Sequence, residues 1–144
     1  LKKSASPLED QDVQKLYRRC LNDTNITKSI PVYSAAYLKS PVIAGFWKPC
    51  IFLPVHLISD KNETDIRYML LHELQHYKHK DGFINYLINL AGMIYWFNPF
   101  VWYALKEMRG DREIACDSSV LNLLKSDDYV TYGNTLINFA ERFL

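Results

Sequence analysis

The sequence predicts an α+β fold, mainly helical, with a small sheet of edge strands and a hydrophobic helical hairpin. Three observations lead to this prediction. Helix-like segments occupy most of the chain, short runs rich in β-branched and aromatic residues lie between residues 30 and 53, and the uncharged segment 83–105 is interrupted by Asn98-Pro99. With 144 residues the chain can bury one sizeable core, so a single domain over residues 1–144 is predicted. Because it begins at Leu1 rather than at a methionine, we expect a fragment of a larger protein.

The first half of the chain is predicted to form one helix followed by short strands. The helix should run from about Pro7 to Leu21, where apolar residues recur at helical spacing. Strands are predicted at Ile30–Tyr33, Pro41–Phe46 and Cys50–Leu53, with a hairpin turn around residues 46–49. Several prolines lie in or beside these runs. We therefore expect the strands at a sheet edge, because proline cannot donate a hydrogen bond to a central ladder.

A helix from Lys61 to Asp81 is predicted from its end signals. Asp60 with Glu63 three positions later fits a capping box, and Gly82 is a suitable residue to end the helix. Two further helices are predicted, from near Pro99 through Leu124 and from near Asp127 or Asp128 to the chain end.

Composition excludes some function classes. The formal net charge is +1, whereas a nucleic-acid binder usually carries a basic excess, so no direct binding of nucleic acid is expected. Cys20, Cys50 and Cys116 are scattered, with no C-x-x-C pair, which is typical of reduced thiols in a cytoplasmic setting rather than of a disulfide framework.

The most informative motif is H-E-x-x-H at residues 72–76. On a helix, His72 and His76 lie one turn apart on the same face, so both imidazoles can reach one Zn²⁺ ion. Glu73 is then placed to act as the general base toward a zinc-bound water. The competing interpretation, a buried core histidine, fits one histidine better than two that flank a glutamate. The motif therefore predicts a zinc peptidase site with Glu73 as its catalytic residue.

A catalytic zinc site needs a third protein ligand. Glu113 and Asp117 are spaced i, i+4 on a predicted helix, so one could bind the metal while the other hydrogen-bonds a ligand histidine. They could equally belong to a solvated helix face, and spacing alone leaves both interpretations open. Basic residues that could pair with them there are Lys106, Arg109 and Arg112. We expect His79 to be solvated or to support the site from outside, and Cys116 to be a small packing residue.

Four segments together resemble a known family. They read S-P-V-I-A-G-F-W-K-P-C-I-F-L-P (40–54), L-L-H-E-L-Q-H-Y-K-H-K-D (70–81), W-F-N-P-F-V-W (96–102) and R-G-D-R-E-I-A-C-D (109–117). The combination is similar to the BlaR/MecR β-lactam sensor-transducers and their integral-membrane metallopeptidase family, with a gluzincin pattern. The resemblance implies a gluzincin-like fold, Zn²⁺ as cofactor, Glu113 as the third zinc ligand and Asp117 as a residue that supports the site.

The same resemblance implies a function. The chain would be the zinc endopeptidase domain of a membrane-bound β-lactam-sensing transducer that cleaves itself, a BlaI/MecI-like repressor, or both, and so induces antibiotic resistance. The expected location is the cell membrane, with the zinc domain facing the cytoplasm, and a homodimer is left open. Two alternatives remain: a zinc-stabilised module that transmits a signal without catalysis, or another membrane metallopeptidase with a different protein substrate.

The uncharged segment 83–105 tests this scheme. It is long enough to cross a bilayer once, at about 1.5 Å per residue. A single crossing would, however, separate Glu113 from His72 and His76 by roughly 30 Å. The segment must therefore fold back, and Asn98-Pro99 supplies the break. We expect a hairpin at the membrane interface because it is rich in Trp and Phe, with a buried hairpin in a soluble core as the alternative.

Two further roles complete the predicted mechanism. The edge strands near Val42–Leu53 are expected to hold an extended substrate by adding it as a strand. Tyr129 and Tyr132 are the candidates for stabilising the oxyanion.

Overall fold

Six helices and one four-stranded sheet make up the part of the chain that the computed structural model describes, residues 5–45, 47–60 and 62–141. In chain order the elements are β1 (Ser6–Pro7), α1 (Gln11–Asp23), β2 (Val32–Ala35), β3 (Val42–Ala44), β4 (Cys50–Pro54), α2 (Val55–Ser59), α3 (Glu63–Lys78), α4 (Asp81–Ile94), α5 (Pro99–Leu121) and α6 (Tyr129–Glu141). A short 3₁₀ turn, Ser126–Asp128, precedes α6. The mainly helical α+β class is confirmed.

The sheet has the strand order β1-β2-β4-β3. The predicted hairpin is confirmed, since β3 and β4 pair antiparallel, although Phe46 in its turn lies outside the described residues. The prediction that all strands are edge strands was wrong for β2 and β4, which are the two inner strands of the sheet. Strand β2 pairs with β1 and with β4, and β4 pairs with β2 in parallel and with β3 and is buried throughout. Pro49 and Pro54 stand before β4 and at its last position, so the residues between them keep their backbone donors. Only β3 and the two-residue β1 lie at the edges.

The first helix begins later than predicted. Ser6 and Pro7 pair with β2 as strand β1, which the sequence did not predict. Helix α1 starts at Gln11 because the Asp10 side chain accepts hydrogen bonds from the N–H groups of Asp12 and Val13.

Both ends of α3 differ from the prediction. Asn62 caps its start by accepting from the Asp65 N–H, whereas Asp60 ends α2, so the predicted capping box was wrong. Lys61, the predicted first residue, lies outside the described residues. At the other end Lys80 adopts the left-handed conformation, with φ 59°, and the chain turns there into α4. Gly82 therefore lies inside α4 and does not end α3.

The uncharged segment folds back as predicted. Asn98 caps α5 by accepting from the Phe100 N–H, and Pro99 occupies the first helical turn, where no intrahelical donor is required. Gly92 lies where the two helices of the hairpin meet, and a Cβ there would be in ordinary van der Waals contact with the Leu105 side chain, at 3.4 Å. Helix α5 ends at Leu121 instead of Leu124. Among the described helices, none combines the length and apolar character that a membrane crossing requires.

Helix α3 lies at the centre of the packing and contacts α1, α4, α5, α6 and β3. Leu70, Leu71 and Leu74 on this helix are completely buried in the main hydrophobic core. The surrounding helices and strand thereby fix α3 as a rigid platform for the H-E-x-x-H residues. The three cysteines are free and buried, in agreement with the prediction of reduced thiols.

Candidate metal centre

The structure brings His72, His76 and Glu113 together. The two Nε2 atoms lie 3.0 Å apart on one face of α3. Glu113 Oε2, from α5, lies 3.6 Å from His72 Nε2 and 3.5 Å from His76 Nε2. Two adjacent turns of one helix and a carboxylate from a second helix thus present three potential ligand atoms within 4.8 Å of one another.

The spacing of these atoms fits a zinc ion. Zinc binds nitrogen and oxygen ligands at roughly 2.0–2.2 Å in tetrahedral geometry, which places neighbouring ligand atoms about 3.3–3.6 Å apart. Two of the three measured distances lie in that range, and the third is only slightly shorter. Two neutral imidazoles and one carboxylate are also a donor set that zinc accepts in catalytic sites.

A carboxylate lies behind each histidine. His72 Nδ1 is 3.0 Å from Asp117 Oδ1, and His76 Nδ1 is 2.6 Å from Asp81 Oδ2. Because ionised carboxylates only accept hydrogen bonds, each Nδ1 carries a proton, and in the neutral imidazole each Nε2 then keeps a free lone pair. Both lone pairs are then available on the side where Glu113 lies. Such carboxylate–histidine pairs fix the tautomer and the ring orientation of metal ligands.

Asp81 is the residue that sequence reasoning missed. It follows the motif by five positions and is 5% exposed, as the first residue of α4. The left-handed turn at Lys80 carries it back under His76. The sequence did show an acidic residue shortly after the second histidine. Its role could be predicted only by knowing that α3 ends before Asp81.

A metal ion that binds at His72 competes with a proton on the imidazole. Burial by itself would lower the pKa of His72, but the hydrogen bond to Asp117 and the nearby charges of Glu73 and Glu113 raise it above its ordinary value. The carboxylates therefore favour positive charge at this place. A bound cation satisfies the same field, and its binding displaces a proton from any protonated imidazole.

Glu73 faces the site from the same helix, and its environment favours proton transfer. Burial raises the pKa of Glu73 to about 6, although His76, His72 and a backbone hydrogen bond oppose the rise. That bond comes from the Ile43 N–H, which donates to Glu73 Oε2 at 3.1 Å. Because β3 is an edge strand, the predicted substrate strand and the predicted base are neighbours. A nearby metal ion would oppose this rise and lower the pKa of Glu73.

The site is open on one side. The side chains of His72 and His76 are 13% and 19% exposed, whereas that of Glu113 is 58% exposed. The imidazoles are thus fixed inside the domain, and the Glu113 side leaves room for water and a substrate. An open position of this kind distinguishes catalytic from structural zinc sites.

With the Lys and Arg residues that the structure describes, Glu113 and Asp117 do not form the salt bridges that a solvated helix face would show. Their ion pairs within the described part of the chain are with His72 and His76. Arg112, which could have paired with them, donates instead to the Asp81 carbonyl at 3.4 Å and to Asn85 Oδ1 at 2.7 Å. It thereby ties α5 to the start of α4.

Cys116 lies behind His76. Its Sγ is completely buried, 3.2 Å from His76 Nδ1, and its thiol donates to Asp81 Oδ2 at 3.5 Å. Burial and the neighbouring Asp81 raise the pKa of this thiol to about 12. Without a bound metal it therefore remains a thiol, and its complete burial is what a small packing residue would show. His79 lies beside Cys116, with its Nε2 3.4 Å from Ser119 Oγ, outside the group of three ligand atoms.

Tyr132 is buried, but its position does not suit oxyanion stabilisation. Its hydroxyl donates to Asp117 Oδ1 at 2.7 Å and lies 3.3 Å from His72 Nδ1. Nδ1 and Nε2 are on opposite sides of the imidazole ring, so this hydroxyl lies behind His72, away from the ligand atoms. Tyr129, the other candidate, is 42% exposed at the start of α6.

Comparison with known proteins agrees with the geometry. A family model described as BlaR1 peptidase M56 matches residues 1–142. The regulatory protein BlaR1 of Bacillus licheniformis is 34% identical over 140 residues, covering 97% of this chain. The methicillin resistance mecR1 proteins of Staphylococcus aureus and Staphylococcus epidermidis are each 30% identical over 134 residues, covering 92% of it.

The chain spans only 23% of the length of each of these curated relatives. The match nevertheless extends over almost the whole chain and includes the helices that carry the site. The resemblance found in the sequence is confirmed, and the chain belongs to the BlaR1 peptidase M56 family.

Proposed function

We propose that this chain is a zinc-dependent endopeptidase domain with a gluzincin-like arrangement. His72, His76 and Glu113 would hold Zn²⁺, and Glu73 would be the catalytic base. The observation that carries the proposal is the convergence of three ligand atoms at zinc spacing, with both Nδ1 atoms turned to carboxylates. The half-buried Glu73 beside that group supplies the remaining element of a metallopeptidase site.

The chemistry divides between the metal and the protein. When bound, Zn²⁺ would polarise the scissile carbonyl and lower the pKa of water at the site. Glu73 would accept a proton from the attacking water as the water oxygen bonds to the carbonyl carbon, and would pass that proton to the amine released when the C–N bond breaks. The Ile43 N–H holds one Glu73 oxygen in place during this transfer. A substrate strand added along the edge strand β3 would run past Glu73. This position would bring the scissile peptide bond of the substrate close to the Glu73 carboxylate.

The supporting carboxylates have a separate task. Asp117 orients His72, and Asp81 orients His76, so that the ligand nitrogens meet with little reorganisation when the metal binds. The rigid packing of α3 in the core keeps this geometry during the reaction.

For the whole protein we propose a membrane-bound, β-lactam-sensing signal transducer. The names of the relatives, regulatory protein BlaR1 and methicillin resistance mecR1 protein, support a role in regulating antibiotic resistance. In this scheme the domain faces the cytoplasm and cleaves its own chain, a BlaI/MecI-like repressor, or both. Residues 1–144 would act as one domain of that protein, and a homodimer is compatible with the scheme.

The hairpin of α4 and α5 supports membrane association. Its outer face exposes an unusual number of large apolar side chains, including Met93 (67%), Trp96 (71%), Phe97 (67%) and Phe100 (82%). An apolar face of this kind marks an interaction surface rather than an ordinary solvated one. We propose that residues 83–105 lie at the membrane interface, where Trp and Tyr are favoured.

Replacement of the base tests the catalytic proposal. Glu73→Gln in the full chain keeps an oxygen that can accept from the Ile43 N–H but removes the basic carboxylate. We expect zinc content to persist and cleavage of the chain and of a co-expressed BlaI-like repressor to disappear. Glu107→Gln, at an exposed glutamate of α5, makes the same chemical change away from the site and should preserve both.

The possible results separate the two functions under consideration. Cleavage retained by Glu73→Gln would refute the mechanism. Loss of cleavage together with normal induction of resistance would favour the non-catalytic transducer, in which zinc only stabilises the domain.

A further inference from the structure

Tyr132 reaches the metal centre from α6, a helix that carries none of the proposed metal ligands. The side chain is only 2% exposed. Its hydroxyl donates to Asp117 Oδ1 at 2.7 Å and lies 3.3 Å from His72 Nδ1. The hydroxyl is the donor of the first bond because an ionised carboxylate only accepts. Hydroxyl, carboxylate and imidazole therefore form a closed triangle behind His72.

This triangle fixes the Asp117 carboxylate. The Nδ1–H of His72 and the hydroxyl of Tyr132 both converge on Oδ1 of Asp117, at 3.0 and 2.7 Å. The Asp117 side chain is 36% exposed, so with His72 as its sole partner it could rotate toward water. The hydroxyl supplies a second fixed donor and keeps Oδ1 pointed at the imidazole.

Helix α6 is itself anchored on α3. Thr135 donates to Asp65 at 2.7 Å, and the Tyr132 ring meets Tyr68 edge to face, with 5.6 Å between ring centres. Phe139 lies buried in the core on the same face of α6. The position of the hydroxyl is thus determined by how α6 docks.

We infer that Tyr132 is a positioning residue of the metal centre. Acting through Asp117, it fixes the ring orientation of His72 and couples the docking of α6 to metal affinity. This inference rests on the proposed function and adds α6 to the elements that build the site.

The test uses Tyr132→Phe in the full chain, which keeps the ring and removes only the hydroxyl. Groups that support metal ligands change metal affinity by roughly 10- to 100-fold, and we expect about tenfold because Asp117 remains. Zinc affinity is measured by competition with a chromophoric chelator, a readout independent of proteolysis.

Tyr17→Phe is the matched control. Tyr17 is also a buried tyrosine, and its hydroxyl donates to the Ile30 carbonyl and accepts from the Ile30 N–H, each at 2.9 Å. These described hydrogen bonds of the hydroxyl involve no residue of the metal centre. Its removal should lower stability by a similar amount while leaving zinc affinity unchanged. An equal loss of affinity in both variants would show a merely structural effect and overturn the inference.

A double-mutant cycle with Asp117→Ala tests whether Tyr132 acts on His72 through Asp117. If Tyr132 acts through Asp117, the double variant should bind zinc no more weakly than Asp117→Ala alone. Additive losses, or wild-type affinity in Tyr132→Phe, would overturn the inference but leave the proposed zinc site intact. A wild-type protein that binds no zinc would instead remove the proposed function itself.

Discussion

Asp81 offers the sharpest test of how the site is held together. Its carboxylate accepts from His76 Nδ1 at 2.6 Å and from the Cys116 thiol at 3.5 Å, and the residue is 5% exposed. A short, buried bond to a charged acceptor is about twice as strong as a neutral one. Asp81→Asn keeps the shape and removes the charge, so the histidine loses both its electrostatic support and a uniquely defined tautomer.

The expected effect is a roughly 10- to 100-fold lower zinc affinity, or about 1.4–2.7 kcal/mol. The loss should exceed that of Asp117→Asn, because the Asp117 bond is longer, at 3.0 Å, and its side chain is more exposed. Affinity is measured on the full chain by chelator competition. Asp12→Asn is the matched control, since the Asp12 side chain is 93% exposed and pairs only with Lys15 among the ion pairs described.

Two results would refute this reasoning. One is wild-type zinc affinity in Asp81→Asn, which would mean that the bond to His76 contributes nothing to metal binding. The other is an equal loss in the Asp12→Asn control, which would assign the effect to net charge rather than to the contact.

Further predictions concern the third ligand, the hairpin turn and the apolar face. Glu113→Gln should lower zinc affinity by more than the roughly 100-fold upper limit for supporting groups, measured in the same competition assay; normal occupancy would remove Glu113 from the site. Gly45→Ala should destabilise the protein by about 1–3 kcal/mol, seen as a lower denaturant midpoint, because φ is 112° and a Cβ would lie 2.5 Å from the Lys48 carbonyl oxygen. Replacing Trp96 and Phe97 together by serine should weaken binding to lipid vesicles, whereas Val130→Ser, at an equally exposed residue of α6, should not.

Local features of the site could be predicted because they depend on residues close together in the chain. The four-residue spacing of His72 and His76 places both rings on one helix face whatever the rest of the fold does. Asn98-Pro99 likewise ends one helix and begins the next through its own backbone restrictions. For Glu113 and Asp117 the spacing left two interpretations, and the structure shows both side chains turned toward the histidines.

Contacts between elements required the tertiary structure. Tyr132 is 60 residues from His72, so their approach depends on how α6 docks, which no spacing rule describes. The interior position of β4 depends on a parallel partner, β2, that local proline signals could not reveal.

The sequence by itself determined the helix that bears His72, Glu73 and His76, and the fold-back that returns α5 to it. Only the tertiary structure decided which groups hold those histidines. Lys80 adopts a left-handed conformation that non-glycine residues seldom take, so no local pattern predicted that Asp81 would turn under His76. Helical periodicity determines which side chains lie one turn apart on the same helix face. The contacts that those side chains make with other elements depend instead on how distant segments of the chain pack together.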